Sequence, residues 1–358
     1  MQFDVGLKND SDYMDKFTTN DDFLYLGIDA GMFKTSVCTS DGNKISERTV
    51  VALLNDDSDS STEKVLFGED ALESQVDNIR EILNIELKTE EDVIACGKYL
   101  KNILEKHDVN MSRVNTYAIL GVPSNAQKAY KKKLLELSRE IFSGAMLVDG
   151  IFCMAYRYDF LDNSVLVDIG CNKTNICIIS GDVPQETDCL SLPCAGKDID
   201  MEIVKLINER WPDSNVTEEL AREWKEKYGH LGPSSDPCIV TVPLESGDIE
   251  ESIAEEVQIA CEFVVTDIVS GITRILSDVD PGIRESLRNN IHIFGGTSKL
   301  LDIGTFIEGE LKELGGGDVF LDLDSVYGIS EGALELARNM PMEFWKQPVV
   351  GKQDEELI

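Results

Sequence analysis

Apolar residues along this chain gather in short runs that stop at glycine or proline, and between them lie stretches whose apolar positions recur at helical spacing. The first pattern predicts strands and the second helices. Leu26-Gly27-Ile28 reads as a strand that turns at Gly31 and returns over 35–39. Tyr117-Ala118-Ile119-Leu120-Gly121-Val122, stopped by Pro123, reads as another strand, with a basic helix over 126–142 after it. The alternation resumes at Val165-Leu166-Val167, turns at Gly170 and returns over 174–179. Ala195-Gly196-Lys197-Asp198 then opens a helix ending near Trp211, a second helix covers 217–228, and a Gly/Pro/Ser-rich stretch over 229–237 leads to a strand over 238–242. Ile253, Val257, Ala260, Cys261, Val264, Ile268 and Ile272 place a long helix over 249–277. A strand over 291–294 runs into Gly295-Gly296-Thr297-Ser298 and a further helix. Strands alternating with helices predict an α/β fold.

Two of these segments are copies of each other. Asp29-x-Gly31-x-x-Lys34-Thr35-x-x-Cys38 and Asp168-x-Gly170-x-x-Lys173-Thr174-x-x-Cys177 carry the same five residues in register, each pair offset by 139 positions and flanked by matching apolar runs. A duplicated architecture follows, with one β-hairpin opening each half.

Composition narrows the function. With 33 Lys plus Arg against 67 Asp plus Glu, the formal charge of −34 repels phosphate backbones and anionic headgroups, which argues against direct nucleic-acid binding. The same charge predicts that self-association responds to salt and divalent cations. Nine cysteines without a Cys-x-x-Cys spacing, and three histidines, give no metal-cluster or redox-dithiol pattern. They read as buried thiols of a reducing cytoplasm. No apolar stretch approaches the roughly 20 residues of a membrane span. Residues 1–22 and 349–358 read as acidic tails, neither a targeting helix nor a basic membrane anchor, and the acidic run over 55–63 as an exposed loop.

The paired turns suggest a chemistry. A glycine turn aims backbone N–H groups into a concavity that suits phosphate oxygens, and two such turns would grip a polyphosphate from both sides. Asp29 and Asp168, each ending a first strand, are candidates to hold the waters of a hydrated Mg²⁺, or simply to cap their turns. Lys34 and Lys173 would neutralise phosphate charge or stand in solvent. Gly295-Gly296 forms a third close-approach turn between strand and helix. On helical spacing alone, Lys225 and Glu226 read as a solvated face.

Paired Asp-x-Gly hairpins about 140 residues apart, with a strand and Gly-Gly turn after the second, resemble the nucleotide-binding core of the actin, Hsp70 and sugar-kinase superfamily over roughly residues 23 to 345. Ile119-Leu120-Gly121-Val122-Pro123, Leu166-Val167-Asp168-Ile169-Gly170, Glu331-Gly332-Ala333-Leu334-Glu335-Leu336-Ala337 and Glu343-Phe344-Trp345-Lys346-Gln347 are most similar to bacterial actins, specifically the MamK-type filament proteins that align magnetosomes. The resemblance implies an actin-like two-lobed fold of duplicated mixed-sheet domains with flanking helices and a nucleotide cleft between them. Lobe I would cover 23–163 plus 339–348, and lobe II 164–338. Nucleotide contacts would come from Asp29, Gly31, Met32, Phe33 and Lys34 (phosphate-1), from Gly170, Cys171, Asn172 and Lys173 (phosphate-2), from Gly196, Lys225 and Glu226, and from Gly295, Gly296, Thr297 and Lys299 (adenosine motif). ATP or ADP with Mg²⁺ would be the cofactor, Asp168 and Asp149 the candidate catalytic acids, and a homopolymeric cytoplasmic filament the assembly, with an organelle- or magnetosome-associated adapter as a further partner.

Departures from the family pattern bear on catalysis. Met32 and Phe33 stand where the family carries small hydroxyl residues, and phosphate-2 has Asn172, Lys173 and Asn175 in place of Gly, Thr and Asp. Gly150 falls where prokaryotic members place the glutamate that orients the attacking water, leaving Asp149 one residue away. Slow hydrolysis is the expectation, and a nucleotide-binding filament scaffold with little ATPase activity is the alternative. An Hsp70-like or sugar-kinase-like enzyme comes third, since neither a peptide-binding domain nor a distinct aspartate base is apparent.

Overall fold

The computed structural model describes residues 22–54, 64–74, 79–81, 90–112, 115–124, 126–181, 183–234, 236–312, 315–321 and 326–345. The expected tails, apart from Asp22, and the expected loop over 55–63 lie outside the described residues. The chain divides into two compact units, residues 1–159 with 326–358 and residues 160–325.

The first unit contains β1 (Phe23–Ala30), β2 (Lys34–Thr39), β3 (Lys44–Arg48), β4 (Val50–Leu54), β5 (Lys64–Phe67), α1 (Gly68–Glu73), β6 (Ile79–Glu81), α2 (Glu90–Lys106), β7 (Asn115–Val122), α3 (Lys128–Ile141), β8 (Gly144–Asp149) and α4 (Gly150–Tyr158). Its main sheet has the order β3-β2-β1-β7-β8, and β5-β4-β6 form a small second sheet. Alternation along β1 sends Leu24, Leu26 and Ile28 into a core with Tyr99, Leu100 and Ile103 of α2 and Leu134 of α3. Each fully buried aliphatic side chain contributes roughly 1.5–3 kcal/mol.

The second unit contains β9 (Ser164–Ile169), β10 (Thr174–Ile179), β11 (Cys189–Leu192), α5 (Gly196–Arg210), α6 (Glu218–Tyr228), β12 (Ile239–Val242), β13 (Ile249–Ser252), α7 (Ala254–Ser277), α8 (Pro281–Arg288), β14 (Ile291–Phe294), α9 (Ile303–Leu311) and β15 (Val319–Leu321). Its sheet order, β11-β10-β9-β14-β15, repeats that of the first unit, with a hairpin pair beside a central strand and two parallel strands beyond it. Val165, Val167 and Ile169 pack with Ile199, Ile203 and Ile207 of α5 and the apolar stripe of α7.

The chain then returns to the first unit through α10 (Gly328–Asn339) and α11 (Met342–Trp345). This differs from the expected boundaries, because 326–338 fold with the first unit and 160–163 with the second. The reason is local packing. Helix α10 lies so close on β1 that a Cβ on Gly27 would stand 1.9 Å from the Ser330 carbonyl oxygen and 2.2 Å from Leu334 N. Gly332 gives the same freedom against α4, where a Cβ would stand 1.9 Å from the Cys153 carbonyl oxygen. On the other side of the boundary, Phe160 stacks on His292 with ring centroids 3.6 Å apart.

Two further expectations are corrected. The long helix starts at Ala254, not near 249, because Ile249–Ser252 pairs antiparallel with Ile239–Val242 across a turn in which Gly247 has φ +117°. Cys177 and Cys189, opposite each other in β10 and β11, are joined in a disulfide, a pairing set by strand register and not by any spacing motif.

Two tests follow from the packing. Gly27→Ala should lose about 3 kcal/mol or more, since the α10 backbone that the new methyl meets at Ser330 and Leu334 cannot yield. Gly309→Ala, in α9 with nothing within 4 Å of a new Cβ, should gain about 0.5–1 kcal/mol; urea denaturation of both variants checks the pair.

A third test uses Glu47. Burial alone would raise this carboxyl, but His107 Nε2 at 3.0 Å, the Glu69 N–H at 3.2 Å and Lys106 Nζ at 3.1 Å hold it below its ordinary 4.5. A depressed folded-state value means that the stabilisation is present above the unfolded pKa and is lost as pH falls through the folded one. Melting temperatures should therefore fall more steeply below pH 4.5 in the parent chain than in Glu47→Gln.

Candidate functional site

The two hairpins superpose in register as well as in sequence. Asp29 pairs with Ser36 and Ala30 with Thr35; 139 residues on, Asp168 pairs with Asn175 and Ile169 with Thr174. Both aspartates are half-buried at the end of a central strand, beside Gly121 of β7 and Phe294 of β14 respectively.

In the first turn, Gly31 lies where a Cβ would be 2.4 Å from the Lys34 carbonyl oxygen. Thr49 fastens this turn from outside, its hydroxyl donating to the Gly31 carbonyl at 2.8 Å and its N–H to the Phe33 carbonyl at 3.1 Å. The Arg48 guanidinium stands 3.9 Å above the Phe33 ring, which accounts for an aromatic side chain at this position. Met32 and Phe33 are half-buried, and Lys34 is exposed.

The second turn is built into a larger constellation. Its Gly170 N–H donates to the Lys173 carbonyl at 3.1 Å, while the Gly170 carbonyl accepts from Gly196 N–H and from the Thr297 hydroxyl, both at 3.1 Å. The Cys171 carbonyl accepts from Lys197 N–H at 2.7 Å. These bonds set the N-terminus of α5, a favourable place for anionic groups, directly against the phosphate-2 turn. Gly295, at φ +93°, presses on the same hairpin, where a Cβ would fall 2.4 Å from the Ile169 carbonyl oxygen and 2.7 Å from Asp168 Oδ1. Gly296 has open space around it, and Lys299 is exposed.

Lys225 and Glu226 part company. Lys225 is buried, its Nζ donating to the Gly196 carbonyl at 2.8 Å and pairing with Asp200 at 2.6 Å; Glu226, the next residue on the helix, faces solvent. Thus Gly170, Cys171, Gly196, Thr297 and Lys225 come together around one turn, with Gly295 on Asp168 beside them. Asn172 and Lys173 are half-buried in the turn itself.

Asp149 caps α4, accepting from Ile151 N–H at 2.9 Å. Burial pushes its carboxyl above the ordinary 3.8, against the pull of Ser124, the Ile151 and Phe152 amides and Lys131. Gly150 is buried, with Ile329 Cδ1 3.3 Å from where a Cβ would sit.

Three residues that the sequence reading passed over now matter. Thr49 and Arg48 left no signal, because they act on turn residues 15 or more positions away. Asp200 did leave one, as a carboxylate on the stripe of α5 that buries Ile199, Ile203 and Ile207.

Two α/β units of the same strand order, each opened by an aspartate-ended hairpin, define an actin-like protein. The MreB/Mbl protein family matches residues 24–314, and the chain belongs to that family. It is 28% identical over 334 residues to the actin-like protein MamK of Magnetospirillum gryphiswaldense, covering 90% of this chain and 91% of the relative. Among solved structures it is similar to the MamK double helical filament, at 27% identity and a TM-score of 0.82, covering 89% of this chain and 100% of the other. It is also similar to a non-polymerising MamK mutant bound to AMPPNP, at 27% identity and a TM-score of 0.73, covering 88% of this chain and 99% of the other.

Gly295→Ala should separate the hairpin from the turn beside it and abolish nucleotide binding, because both the positive φ and the Ile169 carbonyl oppose a methyl group. Asp149→Ala should cost about 1 kcal/mol as a lost helix cap. Titration with fluorescent ATP and thermal melting distinguish the two effects.

Proposed function

We propose that this protein is a filament-forming, ATP-binding member of the MamK-like actins that positions magnetosomes or similar organelles, as a cytoplasmic cytoskeletal element. One observation carries the reading. The duplicated hairpins share one register, and the chain that bears them aligns along about nine-tenths of its length with MamK in its filament form. The AMPPNP-bound MamK structure supports a nucleotide as the ligand.

In this reading the turn amides at 31–33 and 171–172 bind phosphate oxygens, the positive end of α5 adds its field although its Gly196 and Lys197 amides are spent on the turn, and Gly295, Gly296 and Thr297 form the turn against which the nucleoside rests. Exposed Lys34 neutralises phosphate charge. Among the described residues no group of three or more His, Cys, Asp or Glu side chains is placed to enclose a metal. Single carboxylates at each strand end suit Mg²⁺, which keeps much of its water shell, so Asp29 and Asp168 would hold it through water. The ion would supply charge neutralisation at the phosphates. Assembly is with further copies of the same chain, in contacts that repeat head to tail without closing, and an organelle-associated adapter would join the filament to its cargo.

Hydrolysis is slow in this reading. Asp149 is occupied as a helix cap, and Gly150 brings no carboxylate to orient water. The same two observations favour the second reading, a nucleotide-binding filament scaffold with little or no ATPase activity.

Sedimentation with ATP, ADP or no nucleotide, with phosphate release assayed in parallel, tests both. ATP-dependent pelleting with slow release is expected. Asp29→Ala and Asp168→Ala should each weaken Mg²⁺-dependent ATP binding, and unchanged affinity in both would refute the two-hairpin site. Pelleting without any phosphate release selects the scaffold.

A further inference from the structure

Asp200 is wholly buried, one helical turn into α5 from Gly196. A carboxylate there is costly unless cations answer it. Two do, both from α6: Lys225 Nζ lies 2.6 Å from Asp200 Oδ1, and Arg222 Nε lies 3.3 Å from Asp200 Oδ2. Lys225 does not stop at the ion pair. Its Nζ also donates to the Gly196 carbonyl at 2.8 Å, and the N–H of that same Gly196 donates to the Gly170 carbonyl at 3.1 Å. A continuous line of one ion pair and two hydrogen bonds therefore runs from Asp200 through Lys225 and Gly196 to Gly170, where the Thr297 hydroxyl joins it.

We propose that Asp200 is a positioning residue for the bound nucleotide, holding the Lys225 ammonium on the Gly196 carbonyl and so locking the phosphate-2 turn, the N-terminus of α5 and the adenosine turn into one preformed surface. The proposal rests on the nucleotide-binding reading above. Its physical basis is that the ammonium cannot stay buried without a counter-charge. With Asp200 neutralised, Lys225 swings toward solvent, the Gly196 carbonyl loses its donor, and the turn amides must be ordered by the ligand when it binds. That ordering is drawn from the binding free energy.

The triad has another reading, in which Asp200 merely balances two cations between α5 and α6. The two readings separate when a single and a double variant are compared. Asp200→Asn leaves Lys225 uncompensated, so both readings expect a lower melting temperature. Asp200→Asn combined with Lys225→Met removes the opposite charges together, leaving Arg222, whose side chain is 17% exposed, to reach water. Charge balance alone predicts that the double variant recovers melting temperature and that Asp200→Asn, which keeps Lys225, retains parental ATP affinity and parental exchange at the Gly196 and Lys197 amides. Positioning predicts that the double variant recovers melting temperature while affinity stays down roughly tenfold or more in both, the scale on which outer-shell partners act.

The experiment measures fluorescent-ATP affinity with Mg²⁺, melting temperature, and amide hydrogen exchange without nucleotide, on the full chain and both variants. Expected are the affinity loss in both variants and faster exchange at the Gly196 and Lys197 amides. Parental affinity in Asp200→Asn, or its full recovery in the double variant, overturns the proposal while leaving the nucleotide reading intact. Should Asp200→Asn fail to fold, parental affinity in the double variant still overturns the proposal. Absence of ATP binding by the parent chain overturns the nucleotide reading and this proposal with it.

Discussion

The carbonyl oxygen of Gly170 has two lone pairs, and both are used: Gly196 N–H and the Thr297 hydroxyl approach it at 3.1 Å each. That one acceptor holds three segments, from positions 170, 196 and 297 of the chain, in a single cluster. None of them is rigid by itself. A glycine turn has wide conformational freedom, a helix start has unpaired amides, and the residues around 296–299 make only a short 3₁₀ turn. Bonded to a common oxygen, each restricts the others, and the amides of the phosphate-2 turn acquire a fixed direction before any ligand arrives.

The two units reach the same hairpin geometry by different means. In the second unit the turn is fastened by the helix N-terminus and by Thr297 of the turn after β14. In the first it is fastened from outside by Thr49, with Arg48 stacked over Phe33. This explains why the bulky Phe33 is tolerated: its ring lies against the Arg48 side chain of a neighbouring strand. Duplication thus conserves the strand register, while the contacts that hold each turn have diverged.

Close backbone approach sets the boundary between the units. Gly27 and Gly332 let α10 lie against β1 and α4 at distances no side chain permits, which draws residues 328–339 into the first unit although they follow the second in the chain. Neither glycine looks unusual in sequence, since one sits in a strand and the other in a helix where glycine is merely unfavourable. Their use appears only when the partner backbone is in place.

Local pattern was sufficient for most of the elements and for the duplicated hairpins. The strand at 291–294, the helix over 217–228 and the register of 29–36 with 168–175 are all periodicity and turn chemistry, which depend on neighbours within a few residues. The expectation of a phosphate-bearing ligand rested on the same kind of local signal, because a glycine turn after an apolar strand has its amide geometry encoded locally. Tertiary structure alone decided that Lys225 turns inward to Gly196 while Glu226 faces water, that Thr49 and not a turn residue holds the first hairpin, and that Cys177 meets Cys189. Each of these depends on a partner at least 12 residues away whose approach is set by packing, and a one-dimensional pattern carries the periodicity of a face but not the identity of what covers it.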